Sequence, residues 1–402
     1  MIKKQGLRYI IFLLFAILLF DGCVPTYKYR YRDDGKIIRQ RSMPNRMVKI
    51  GLSIKQTNKL ELKPLNCDFK VYDNGKEKLT LQKDTAYSLG LYKGNIVIKG
   101  LKVLGKEIFL SSQNAKGMLK INEKTYRGSI FVKEKRNMFE VINELDIEDY
   151  LYGIIGREIS PSWPKDALKA QAVAARTYTL RNLNRHEKEG YNLCDTQHCQ
   201  VYGGVDAEDV RTNDAVNETK GLVISYENEL AQVFYHSACG GNTENVKNVW
   251  PYNGVVPEYL RGRRCNYCKG NPKEEWKTHI SFKTITEKMK KAGYDADQIS
   301  GVKVKEWTKT GRIKKIQVIS ENSKIILKGT EFRAIIGYDV LYSTLVEPEN
   351  KREELIFRGR GWGHGIGMCQ YGIKGMADKG HSWKEILNFY FPGTKVKEWD
   401  KL

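Results

Sequence analysis

Acidic residues are scarce in this chain of 402 residues: 47 Asp and Glu stand against 68 Lys and Arg, for a formal net charge of +21. Such a field favours an anionic polymer or an anionic membrane surface as partner. No apolar run is long enough for a confident spanning helix, which needs about 20 residues. The nearest, Tyr9 to Phe20, falls short. No GxxxxGK[ST] run is present, so a phosphate loop of that type is excluded. Internal repeats are missing, and strands and helices do not alternate regularly, so α+β is the class that fits. Hydrophobic residues make up 41%, enough for a sizeable core, and wholesale disorder is excluded.

Met1 to Arg8 carry three basic residues and no acid, the apolar run follows, and Asp21-Gly22-Cys23 closes it. This is the layout of an export signal. Gly22-Cys23 resembles the end of a lipobox, which would place a lipid on Cys23; simple export or an uncleaved anchor is the alternative. Export makes nucleic acid an improbable partner despite the charge, and makes the cell wall and outer surfaces the expected setting. The expected divisions are a signal and lipobox over 1–23, a basic tether over 24–47, a β-rich region over 48–140 and a mixed α+β domain over 141–400.

The β-rich region alternates in β-branched and aromatic residues between turns such as Asp73-Asn74-Gly75. From Phe139 the pattern changes to a strand, a short helix and a long helix over 164–182. Pro164 suits the start of that helix, and Asp166 and Arg181 match its dipole. Further helices are expected over 280–293, 329–337 and 383–390, with strands between 302 and 327 and over 355–358.

Three blocks carry chemistry. The first holds Glu158, a lone acid on an apolar turn before an alanine-rich helix. That pairing suggests a place where a wide polymer approaches the backbone while one acid reacts. The second is YHSACGGNTENVKNVW, Tyr235 to Trp250. His236 and Ser237 are adjacent, so on a strand they face opposite ways and would not form a nucleophile–base pair. The third is FRGRGWGHGIGMCQYGIKGMADKGHSW, Phe357 to Trp383, with seven glycines from Gly359 to Gly375 around His364. Glycine clears space for a ligand or a second backbone.

Together the blocks resemble the stage II sporulation protein D (SpoIID/LytB) family. The matching text is EDYLYGIIGREISPSWPKDALKAQAVAARTYTL, CQVYGG, HSACGGNTENV, GTEFRAIIG and GRGWGHGIGMCQYGIKGMADKG, spread over roughly 144–393. The family often has Met after its acid, where this chain has Ile159. The resemblance implies a SpoIID-type catalytic domain with a substrate groove, and a peptidoglycan lytic transglycosylase that prefers peptide-stripped strands. It places the catalytic acid at Glu158 and a motif arginine at Arg176, expected to face substrate. One carboxylate suffices if the substrate's own hydroxyl is the nucleophile, provided burial among Ile154, Ile155, Ile159 and Trp163 raises its pKa. Gln171, His236, Ser237, His364 and Gln370 are further expected substrate-binding residues. The alternative is a non-catalytic enhancer of a cell-wall amidase.

The reaction needs no cofactor. Cys194, His198 and Cys199 lie close together with His186 upstream, types that bind structural zinc, and some family members look zinc-bound near this segment. Disulfides among Cys194, Cys199, Cys239, Cys265 and Cys268 are the rival in an exported protein, and free thiols a third reading. Cys67 and Cys369 are expected to be buried thiols.

Overall fold

The computed structural model describes residues 46–402 apart from 55, 56, 113, 115 and 322, together with two short antiparallel strands, Arg30–Tyr31 and Ile37–Ile38. The expected signal, the lipobox at Cys23 and nearly all of the tether lie outside the described residues. Met47–Leu402 forms one compact unit. Among the described residues, no helix is long and apolar enough to cross a membrane.

Two largely antiparallel sheets form the first layer pair, with Leu193–Cys194 joining the edge of Met47–Leu52 in parallel. A seven-stranded sheet centres on Met47–Leu52, Met138–Asp146 and Ser129–Lys135; a six-stranded one centres on Leu60–Pro64 and Tyr87–Tyr92. Alternation explains the packing: Met47–Leu52 places Val48, Ile50 and Leu52 inside and the residues between them outward. Strand Met138–Asp146 crosses the expected 140/141 division. It pairs along both edges and runs straight into helix α1, Ile147–Glu158. The β-rich region and the first helix of the following region are therefore continuous.

Helix α1 begins where Asp146 caps the N–H of Glu148, and stops at Glu158 because Ile159 turns extended. Helix α2, Lys165–Arg181, follows Pro164 as expected. It is buried along most of its length, with Ala167, Ala170, Ala172, Ala174 and Ala175 all at 0% exposure. One face, Leu168, Ala172 and Ala175, joins the core of the two sheets. The other, Ala167, Ala170, Val173 and Ala174, joins a second core built from the C-terminal half. The alanines thus make room for protein on both sides, which corrects the expectation of close polymer approach there. Helix α3, Val210–Glu218, packs on α2.

A third core holds strands Trp276–Ser281, Ile299–Trp307, Ile313–Ser320 and Glu354–Gly359 with helices α4, Phe282–Lys291, and α5, Gly329–Ile336. Helices α6, Gln370–Ala377, and α7, Trp383–Tyr390, complete the chain's second core. Asp166 of α2 accepts from the N–H of Trp383 at 2.9 Å, fixing the start of α7. The mixture of sheets and helices, β-rich first, is the α+β class expected.

Candidate active-site groove and metal centre

A groove of about 920 Å³ runs where the three sequence blocks meet. Its lining includes Glu158, Ile159 and Trp163 from the first block, His236, Ser237 and Trp250 from the second, and Trp362, His364 and Gln370 from the third. Strand pairing assembles it: Tyr235–His236 lies parallel to Met368–Cys369. Ala238 bridges Trp362 and Glu244 bridges Ile366.

Glu158 is the last residue of α1, where the helix's negative end disfavours a second negative charge. Burial raises its pKa from 4.5 to about 7, against opposing hydrogen bonds from the Gln370 side chain and the Val201 N–H. Gln370 Nε2 donates to Glu158 Oε2 at 3.3 Å. Ile159 and Trp163 line the groove with Glu158, and Ile154 and Ile155, which precede it on α1, are at 0% exposure. Among the described residues that line the groove, Glu158 is the sole carboxylate.

The other expected substrate contacts divide. Gln370 and Ser237 line the groove. His364 does too, but its Nε2–H donates to the Tyr235 carbonyl at 3.0 Å and its Nδ1 accepts from the Ile366 N–H at 3.0 Å. Both ring nitrogens are spent on backbone, leaving the ring face, 4.8 Å from Trp250. Burial pushes its pKa down to about 3, so the imidazole is neutral. His236 bonds Ile366 O through Nδ1 at 3.0 Å, and its buried Nε2 has no protein partner. Burial, with the nearby His364 and Arg312, holds its pKa well below the usual range.

Two expectations need correction. Arg176 does not face substrate. It is at 0% exposure and forms an ion pair with Glu148, Nη2 to Oε2 at 2.6 Å and Nε to Oε1 at 3.0 Å. It also donates to the carbonyls of Leu222 and Val216. A buried cation needs such an enclosure of acceptors, and that enclosure knots α1, α2 and α3 together. Gln171 is likewise at 0% exposure and does not line the groove, because its face of α2 is covered.

The glycines of the third block admit backbone and side chains of this chain. At Gly363 a Cβ would stand 2.8 Å from that of His236, and at Gly367, with φ of +70°, 2.3 Å from the Phe234 carbonyl. Of the two uses of glycine weighed from the sequence, close approach of a second backbone is the one observed here.

Sequence reasoning passed over Gln200, Val201 and Tyr235. Thr179 donates to Gln200 Oε1 at 2.8 Å, and Gln200 Nε2 donates to Tyr235 Oη at 2.9 Å, joining α2 to the groove wall. The CQVYGG run held the signal, but nothing in it marks a main-chain N–H as a ligand for Glu158.

The 186–201 loop brings His186, Cys194, His198 and Cys199 together, their ligand atoms all within 4.8 Å of one another. Cys199 Sγ lies 3.4 Å from His186 Nε2 and 3.6 Å from His198 Nδ1. Two sulfurs and two nitrogens at these separations match a tetrahedral zinc donor set. Beside it, the His186 ring stacks on Tyr191, and its other nitrogen faces Glu189 at 3.6 Å. A carboxylate behind a ligating imidazole is the usual outer support for such a ligand. His198 and Cys199 also border the groove.

The family model described as stage II sporulation protein matches residues 135–226, and a domain of unknown function matches 268–367. An uncharacterised protein of Brachyspira hyodysenteriae is 31% identical over 283 residues, covering 70% of this chain and 75% of that protein. Stage II sporulation protein D of Bacillus subtilis is 30% identical, covering 66% of this chain and 78% of that protein. The amidase enhancer of Bacillus subtilis is 29% identical over 77% of this chain, which spans 50% of that longer protein.

Proposed function

This chain belongs to the stage II sporulation protein D family, whose relatives fit a cell-wall role, and from that premise we propose that it cleaves peptidoglycan glycan strands by non-hydrolytic transglycosylation. The observation that carries the reading is Glu158: one carboxylate in the groove, with its pKa raised to about 7. Glycosidases that use water or a covalent intermediate generally need two carboxyl groups. Transglycosylation needs one. Protonated Glu158 gives its proton to the bridging oxygen as the muramic acid C1–O bond breaks. The carboxylate then takes the proton of the same sugar's 6-hydroxyl while that oxygen bonds to C1. The products are a free 4-hydroxyl end and a 1,6-anhydro end; no water enters, and the acid is regenerated. A pKa near neutrality suits both halves of this cycle.

Gln370 and the Val201 N–H hold the carboxylate in place. The faces of Trp163, Tyr371, Trp250 and Trp362 offer surfaces for sugar rings, and Arg157, Arg185 and Arg333 supply positive charge along the groove for an anionic strand. The preferred substrate is the peptide-stripped strand. We further assign a structural zinc to His186, Cys194, His198 and Cys199, which would pin the loop that carries Gln200 and Val201. Export and a lipid on Cys23 complete the proposal and place the enzyme at the membrane, facing the wall.

Amidase-treated sacculi incubated with the purified protein should release fragments with anhydro-muramic ends, read by mass spectrometry. No such ends from the wild type, or an equal yield from Glu158→Gln, would sink the mechanism. The second reading, a non-catalytic enhancer of a cell-wall amidase, rests on the similarity to the amidase enhancer. It predicts faster amidase turnover with the wild type and Glu158→Gln alike.

A further inference from the structure

Four cysteines from three distant segments converge in the second core. Cys239, Cys265, Cys268 and Cys369 are all buried, and their sulfurs all lie within 4.8 Å of one another. Cys239 Sγ is 3.4 Å from Cys268 Sγ. Metal–sulfur bonds of about 2.3 Å in a tetrahedron put the sulfurs about 3.8 Å apart. The observed spread brackets that edge. A cubane iron–sulfur cluster spreads its thiolates wider, because each binds a different iron.

The surroundings are arranged for thiolates. Cys369 Sγ accepts from the main-chain N–H of Cys239 at 3.2 Å and of Gly372 at 3.3 Å. The Gly241 N–H is bonded to Cys268, and Tyr390 Oη lies 3.1 Å from Cys265 Sγ. A backbone N–H can only donate, so these sulfurs are the acceptors, as in the outer shell of a metal–thiolate site. Arg312 is 1% exposed; its Nη2 donates to the Cys239 carbonyl at 2.7 Å, and its Nε and Nη1 have no hydrogen-bond partner. Its charge interacts with Glu244 and with Cys239, Cys369 and Cys268. A buried guanidinium short of acceptors is costly unless negative charge lies nearby. Four thiols that lose their protons to a divalent cation leave a net charge of minus two, which Arg312 would partly offset.

We propose that Cys239, Cys265, Cys268 and Cys369 bind a second, structural zinc ion, separate from the His186–Cys199 loop site. This site lies beneath the groove. Cys239 follows His236 and Ser237 by a few residues. Cys369 precedes Gln370, and its sulfur caps α6 by accepting from Gly372. The metal therefore ties the floor of the groove to the loop around Cys265 and Cys268, and sets where Gln370 meets Glu158. Sulfur-only, tetrahedral donors select zinc or iron among common metals.

The test uses the full chain expressed with zinc and purified without chelator. Elemental analysis should show one equivalent of zinc retained in the Cys194→Ser/Cys199→Ser double variant. X-ray absorption of that variant should show four sulfur neighbours at about 2.3 Å. Cys268→Ser should lose that equivalent, whereas Cys268→His should keep it with one nitrogen neighbour, which guards against simple misfolding. Iron in place of zinc, an intact mass lower by the hydrogens of two disulfides, or labelling of Cys239, Cys265, Cys268 and Cys369 as free thiols, read by peptide mapping, with no metal in the Cys194→Ser/Cys199→Ser protein would each overturn the proposal.

Discussion

Gln370 donates a hydrogen bond to Glu158 at 3.3 Å across 212 residues of sequence. One residue ends α1 and the other begins α6, so the contact exists because both helices pack on α2. The bond favours the carboxylate, while burial favours the acid, and the outcome is a group that titrates near pH 7. That balance sets the first predictions.

If protonated Glu158 starts the reaction, kcat/KM should be level at acid pH and fall as pH rises through about 7. Glu158→Gln should lower the rate by about 10²–10⁴-fold, the usual worth of a general acid–base group. Release of anhydro-ended fragments measured against pH checks both. A profile that rises through pH 7 would assign the essential step to a different ionisation.

Gln370→Ala should move that alkaline limb to higher pH, because it removes an interaction that lowers the pKa of Glu158. A residue that only shaped the groove would change KM and leave the limb where it is.

The same carboxyl links stability to pH. Its folded-state pKa of about 7 lies above its ordinary 4.5. The protonated form therefore contributes stability that is fully present below pH 4.5 and is lost as pH rises to about 7. The Tm of Glu158→Gln should match that of the wild type near pH 4.5 and exceed it progressively up to pH 7. A Tm difference constant across this window would contradict the assignment.

Arg176→Ala should lower stability by about 3–5 kcal/mol, since it leaves Glu148 buried and unpaired. Arg176→Lys should restore little, because an ammonium cannot reproduce the bidentate pairing. Denaturant midpoints measure both. If Arg176→Ala instead left the midpoint unchanged and raised KM alone, the arginine would act on substrate after all.

If the loop site holds the proposed zinc, His198→Ala should lose that equivalent and leave the 186–201 segment more open to proteolysis than in the wild type. Elemental analysis with limited digestion decides this. Unchanged metal content would show that the loop is held without that imidazole.

Much of this architecture was legible in the chain. The Pro164 start of α2, its dipole-matching Asp166 and Arg181, and the strand alternation of Met47–Leu52 are local patterns, and local patterns survive into the fold. Glu158 was legible for the same reason: a lone acid among isoleucines stands out in sequence as it does in space. The alanines were legible as a place of close approach, but not as facing two protein cores instead of a polymer. Arg176 was misplaced because its partner, Glu148, is 28 residues away and nothing local couples the two. His364 looked open between glycines until the Tyr235 and Ile366 backbones took both its nitrogens.

The cysteines mark the division most plainly. Sequence spacing grouped Cys194, His198 and Cys199, because a short loop can close on a metal by itself. It set Cys369 apart as a lone thiol, since the nearest cysteine, Cys268, precedes it by 101 residues. The sequence determined the helices, the strands and the isolated acid at Glu158, which depend on neighbours a few residues away. Tertiary packing decided the rest: which side chains share the groove with Glu158, and which four sulfurs meet beneath it. Those choices depend on which distant segments α2 brings together, and no local pattern encodes that.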